Sequence, residues 1–184
     1  GYSVQHVHTK ELPIPKGFNN QKELEKFIVP DTIEGWAQAA GKLMTAYYMG
    51  LPDINFDYSQ IRPKGAHIRG GFRAPGPEPL KKAIEKVHSF LLKIKGRKLR
   101  PFELHYIICI FADSVVTGGV RRSAMISIFD ADDIEMASCK TGDWFTTMPE
   151  LCRSNNSAAI LPNTSKDVFD KIFESTKAFG EPGF

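Results

Sequence analysis

The run Gly118-Gly119-Val120-Arg121-Arg122-Ser123-Ala124 brings together residue types that bind anions. Glycines let backbone N–H groups approach a ligand closely, and arginines present planar, bidentate donors that stay charged. The same residues also suit a helix stop followed by a solvated basic surface. A second basic stretch, 62–79, is rich in glycine and proline and carries Arg62, Lys64, Arg69 and Arg73 on what reads as irregular backbone. Other chemistries find less support. No Gly-x-Ser-x-Gly elbow, Walker phosphate loop or Gly-x-Gly-x-x-Gly fingerprint occurs. His6 and His8 share one face of the predicted first strand, but no third metal ligand lies nearby in sequence, so no metal is expected. Asp130, Asp132, Asp133 and Glu135 suit the acidic start of a helix. Cys109, Cys139 and Cys152 are odd in number and lack metal-ligand spacing. They read as reduced thiols of a cytoplasmic-type compartment, and none is assigned catalysis.

The elements that must position these loops follow from periodicity. Residues 1–7 alternate as a strand, 13–20 form a loop and 21–27 read as a short charged helix. Asp31 or Thr32 can cap a helix in which Ile33, Trp36, Ala37, Ala40, Leu43, Met44 and Tyr47 make the apolar stripe, ending near Gly50. A strand is predicted over 54–61. A helix over 78–95 follows, with Leu80, Ile84, Val87, Leu91 and Ile94 on one face. Another helix, 101–117, delivers the chain into Gly118-Gly119. Then come a strand over 123–129, a short helix over 132–138 and a buried strand over 156–161. A last helix starts at Thr164 or Ser165, buries Val168, Ile172 and Phe173, and stops at Gly180. Strands alternating with helices predict an α/β fold.

The 184 residues carry 24 basic and 21 acidic side chains, a net charge of +3, which argues against a nucleic-acid coat or a membrane-surface protein. Any anion site is therefore local. The longest apolar run, Tyr106 to Ala112, is too short to span a bilayer. The chain opens in a strand and closes on Glu181-Pro182-Gly183-Phe184, which reads as a connection onward, so a piece of a longer protein is expected.

Five segments occur in a telling order: residues 56–65 (FDYSQIRPKG), residues 70–80 (GGFRAPGPEPL), Gly118 to Ala124, Ser154-Asn155-Asn156-Ser157, and Gly180-Glu181-Pro182-Gly183. That order resembles the large subunit of ribonucleotide reductases. Glu34-Gly35-Trp36 and Gly1-Tyr2-Ser3-Val4 make class II, the adenosylcobalamin-dependent enzymes, the nearest likeness. The resemblance implies that residues 1–184 are a single partial domain, the N-terminal half of a ten-stranded α/β barrel. It implies reduction of ribonucleotides by thiyl-radical chemistry, with the catalytic cysteines outside this chain and adenosylcobalamin bound largely outside it. Ser3, Val4, Asn155, Asn156 and Ser157 would face substrate. Lys64 and Arg69 would hold effector phosphates, and Gly118, Gly119, Val120, Arg121 and Arg122 would form the specificity loop that relays effector identity to the active site. The implied partners are a ribonucleotide, a dNTP effector, the remaining reductase segments, a thioredoxin-type reductant and, in some members, a second copy of the chain. No membrane or nucleic-acid partner is implied. Two other readings suit the same residues: a non-enzymatic nucleotide- or phosphate-binding module, and a structural piece of a split multichain reductase.

Overall fold

The computed structural model describes residues 1–184 other than 21, 22, 69, 95 and 116–123. Arg69 and the whole of Gly118, Gly119, Val120, Arg121 and Arg122 therefore lie outside the described residues. In chain order the elements are β1 (Tyr2–Ser3), α1 (His6–Thr9), β2 (Glu25–Ile28), α2 (Ile33–Met49), β3 (Ile54–Asp57), α3 (Glu78–Leu91) and α4 (Pro101–Ser114). They continue with β4 (Met125–Asp130), α5 (Ile134–Ser138), α6 (Trp144–Thr147), a 3-10 turn at Pro149–Arg153, β5 (Ser154–Ala159) and α7 (Lys166–Phe179).

Packing divides the chain into two compact units. The first comprises Gly1–Leu12, Leu99–Ala112 and Ser123–Phe184; the second comprises Pro13–Lys98 and Asp113–Arg122. In the first unit β1, β4 and β5 form a parallel sheet in that order. Alternation sends Val4, Phe129 and Ala158 to one face, where Met136 of α5 and Ile172 of α7 complete a core. On the opposite face Ile126 and Ile128 stay 47% and 39% exposed, although purely parallel sheets are usually covered on both sides. The second unit packs α2 against α3, with Leu43, Ala46 and Tyr47 of the one and Leu80, Ile84, Val87 and Leu91 of the other buried, and pairs β2 with β3 in parallel.

The mixed α/β character expected from the sequence is present, but the described strands make one three-stranded and one two-stranded sheet and no closed barrel. Local departures have identifiable causes. The first strand stops at Ser3 because the Asp130 carboxylate accepts the His6 N–H (2.6 Å) and the Gln5 side-chain amide (3.0 Å), starting a helical turn. His6 and His8 thus share no strand face, and among the described residues no cluster of three metal-capable side chains forms. Where 21–27 reads as a helix, Glu25–Ile28 pairs with β3, so strand pairing outweighs local propensity. β3 ends at Asp57, whose carboxylate accepts the Ser59 N–H (3.0 Å) in a turn. In α2 the buried positions are Gly35, Ala39, Leu43, Ala46 and Tyr47, while Ile33 is 86% exposed. Gly35 sets that phase: a Cβ there would meet the Pro30 carbonyl oxygen at 2.4 Å. The interior face of α3 is as expected, with Leu80, Ile84, Val87 and Leu91 all buried, and Ile94 buried just beyond it. Phe173, expected inside, is 47% exposed, whereas Ile172 is buried.

Candidate functional site

Sheet register sorts the residues expected to face substrate. Tyr2 lies opposite Ser127 and Ser127 opposite Asn156, while Ser3 lies opposite Ile128 and Ile128 opposite Ser157. Because side chains alternate along a strand, Ser3, Asn155 and Ser157 belong to the open face with Ile126 and Ile128. Val4 and Asn156 belong to the other, where they are 3% and 2% exposed. The five expected residues therefore divide into an accessible trio and two residues packed among helices. The trio has hydroxyl and amide groups beside two isoleucines. Ser3 shares a 3.2 Å hydrogen bond with the Gln5 side chain. Gly183 bridges to Ser157 at the sheet margin, so close that a Cβ on it would stand 3.4 Å from the serine oxygen.

The covered face holds a polar network that sequence reasoning missed. The Tyr2 hydroxyl lies 2.7 Å from Nδ1 of His105, and the two rings stack at 6.1 Å. His105 Nε2 lies 3.7 Å from the Cys109 sulfur, one helical turn along α4. Burial, and secondarily the Lys140 charge, pushes His105 down to about 4, so its imidazole is neutral near pH 7. Burial pushes the thiols of Cys109 and Cys139 up to about 12, which leaves them protonated and poor nucleophiles. Lys140 is 6% exposed and donates to the Ser154 carbonyl and to Glu181 Oε1 (2.8 Å). The other Glu181 oxygen accepts the Asn156 N–H at 2.9 Å, and the Asn156 amide reaches the Cys139 sulfur at 3.1 Å. The lysine ammonium also lies 5.7 Å from the Trp144 ring centre. One signal for part of this network was available: His105 and Cys109 at i, i+4 on an apolar helix share a face. Lys140 and Glu181, 41 positions apart, gave none.

In the second unit the loop after β3 closes as a small hairpin. Gly65 N–H donates to Ala74 O (2.9 Å), Ala74 N–H to Ala66 O (2.8 Å) and Ile68 N–H to Phe72 O (3.0 Å). Gly76, at φ 78°, lies against Lys64, whose backbone nitrogen a Cβ would meet at 2.9 Å. Two arginines serve the loop itself: Arg73 donates to Gly65 O (3.1 Å), and Arg62 pairs with Asp31 (2.5 Å). Lys64 is exposed on this frame, a cation placed at the loop surface.

Each unit also holds a modest cavity. One of about 380 Å³ is lined by Phe102, Glu135, Cys139, Trp144 and Met148. Another of about 250 Å³ is lined by Glu25, Gln38, Lys42, Leu51 and Ile54. No helix among the described residues is long and apolar enough to cross a membrane.

Comparison with known proteins agrees on one group. Residues 14–91, within the second unit, match a family model described as the insertion domain of B12-dependent ribonucleotide reductase. The whole chain is 32% identical to the adenosylcobalamin-dependent ribonucleoside-triphosphate reductase of Euglena gracilis, covering 25% of it. Across 84% of the chain, identity to the enzyme of that name from Lacticaseibacillus paracasei is 35%, covering 21% of that protein. A crystal structure of a B12-dependent (class II) ribonucleotide reductase shares the fold at a TM-score of 0.69 and 24% identity, over 87% of this chain and 26% of that one. The chain spans about a quarter of the length of the curated relatives it matches.

Proposed function

Because this chain belongs to the B12-dependent (class II) ribonucleotide reductase family, we propose that it supplies nucleotide-recognition surfaces to an enzyme reducing ribonucleoside triphosphates to deoxyribonucleotides. The observation that carries this reading is likeness along the whole chain to a reductase whose name specifies the triphosphate. Ser3, Asn155 and Ser157 offer the substrate hydrogen-bonding groups on the open sheet face, with Ile126 and Ile128 as apolar walls. Val4 and Asn156 act from behind, holding the strands that carry the trio. Lys64, together with Arg69, supplies charge for the phosphates of a dNTP effector. Gly118, Gly119, Val120, Arg121 and Arg122 form the loop that changes backbone state with effector identity and so selects the substrate base.

The relatives' cofactor is adenosylcobalamin, which supplies radical initiation when bound. The two cavities described above do not fit it. At about 380 Å³ one lies near the lower end of the roughly 300–1,000 Å³ typical of pockets for drug-sized ligands, and at about 250 Å³ the other lies below it, whereas a corrin with its adenosyl group is far larger. This chain's contribution is recognition. Cys109 and Cys139, protonated and buried, contribute no thiolate.

The test is made on the full-length protein carrying this chain, with adenosylcobalamin and a dithiol reductant. Deoxynucleotide formation from ribonucleoside triphosphates is expected, with a base preference that shifts as the dNTP effector is changed. Arg121→Ala should flatten that shift while leaving measurable turnover. Nucleotide binding without any deoxynucleotide product would overturn the reading in favour of a binding module.

A further inference from the structure

We propose that Lys140 and Glu181 are positioning residues for the substrate, a charged strap that stands where a neighbouring strand would and fixes the part of β5 that carries Asn155 and Ser157. The inference rests on the reading that those two side chains meet the ribonucleotide. Among the described residues β5 has β4 on one side and no named strand on the other. Backbone groups of Ser154, Asn156 and Ala158 nevertheless find partners outside β4. The Lys140 ammonium donates to the Ser154 carbonyl, and Glu181 Oε2 accepts the Asn156 N–H at 2.9 Å. Gly183 gives its N–H to Asn156 O and takes the Ala158 N–H, both at 2.8 Å. The first two of these groups are held by side chains that also hold each other, Lys140 Nζ to Glu181 Oε1 at 2.8 Å. Such contacts satisfy the strand's outer backbone and oppose slippage of its register.

The strap is itself anchored. The Ser175 hydroxyl donates to Glu181 O (3.1 Å) and the Thr176 hydroxyl to Pro182 O, while α7 ends in Gly180 at φ 73° directly before the glutamate. At the other end Lys140 is buried beside the Trp144 ring. A buried ion pair is a poor stabiliser, since apolar residues of similar volume are often neutral or better in its place. What the charges supply and apolar groups cannot is direction: the ammonium and one carboxylate oxygen each meet a single backbone group of β5. Asn155 and Ser157 flank Asn156 and project from the opposite face, so a shift of Asn156 displaces both. Ser3 stands on β1, two strand spacings or about 10 Å from β5, beyond the strap's reach.

The experiment measures KM and kcat for a ribonucleoside triphosphate in the full-length protein with adenosylcobalamin and a dithiol reductant, with amide hydrogen exchange over residues 154–158 as a second reading. Glu181→Gln should raise KM about 10-fold with a smaller change in kcat, as expected when two neutral hydrogen bonds to the substrate are weakened. Exchange over 154–158 should quicken. Loss of folded protein lowers Vmax without moving KM, so a merely structural role gives a different pattern. Lys140→Met combined with Glu181→Leu removes both charges together and leaves no unpaired buried ion; it should fold and show the same rise in KM. Asn155→Ala should itself raise KM, and adding Glu181→Gln to it should raise KM little further, whereas the effects of Ser3→Ala and Glu181→Gln should multiply. An unchanged KM in both strap variants, or full multiplication of Glu181→Gln with Asn155→Ala, would overturn the proposal while the reductase reading stands. If Asn155→Ala and Ser157→Ala leave KM unchanged, the placement of substrate on β5 fails and the strap's role falls with it.

Discussion

Lys140 holds an ammonium almost out of water by giving it two oxygens, the Ser154 carbonyl and the Glu181 carboxylate, and an aromatic face at Trp144. Replacing it with methionine keeps the chain length but leaves the Ser154 carbonyl and one carboxylate oxygen without that donor. Breaking a buried pair from one side typically costs about 3–5 kcal/mol, and the partial exposure of Glu181 places Lys140→Met near the lower end. Denaturant unfolding of the full-length protein followed at Trp144 checks this. Glu181→Gln keeps one oxygen but turns an amide NH2 towards either the lysine or the Asn156 N–H, so it should destabilise by a comparable amount. At this scale the sequence pointed to residues beside turn glycines, because turn chemistry is local. It separated Asn155 from Asn156 in no way, since only the register with Ser127 and Ile126 decides which amide reaches the open face. The pairings of His105 with Tyr2 and of Lys140 with Glu181 were silent for the same reason: the partners lie 103 and 41 positions apart.

The helix α2 shows how an element is fixed at its start. Thr32 accepts the Gly35 N–H at 2.9 Å, and Gly35 itself lies where no side chain fits beneath Pro30. Thr32→Ala should lower stability by about 1 kcal/mol through loss of the cap. Gly35→Ala should cost more, about 2 kcal/mol or above, although alanine is the better helix former, because the added methyl drives the helix start from the Pro30 carbonyl. Circular dichroism melts of the two variants in the full-length protein give the order. If Gly35→Ala proved the milder change, the packing account of α2 would fail. Elements with strict periodicity were legible: α3 has its interior face where Leu80, Ile84, Val87 and Leu91 predict it. The short strands were not. Residues 25–28 are charged enough to read as helix, and only β3 alongside makes them a strand.

Over the whole molecule, the neutral His105 couples folding to pH. Its folded value of about 4 lies below the 6.5 of an exposed imidazole, so between these values the unfolded chain binds the extra proton. The stability it contributes is complete above about pH 6.5 and is lost as pH falls towards 4, by roughly 2–4 kcal/mol. Urea midpoints taken from pH 7 to pH 4 should therefore fall, and His105→Gln should flatten that slope. If the variant and the parent fall in parallel, the histidine is not the source. The α/β character was legible from alternating periods, yet the grouping of segments was not. Nothing in local pattern reveals that Leu12 and Leu99 bound the same unit, with residues 13–98 placed between them. That interruption governs how the protein is made. β1 at Tyr2 finds its partner only when Ser127 of β4 has been synthesised. At about 5–20 residues per second the nascent strand waits roughly 6–25 s on the ribosome for β4. The residues of α2, β3 and α3 emerge during that interval and can bury their own core first. The intervening unit is thus expected to fold first, and the sheet that carries Ser3, Asn155 and Ser157 to assemble after it.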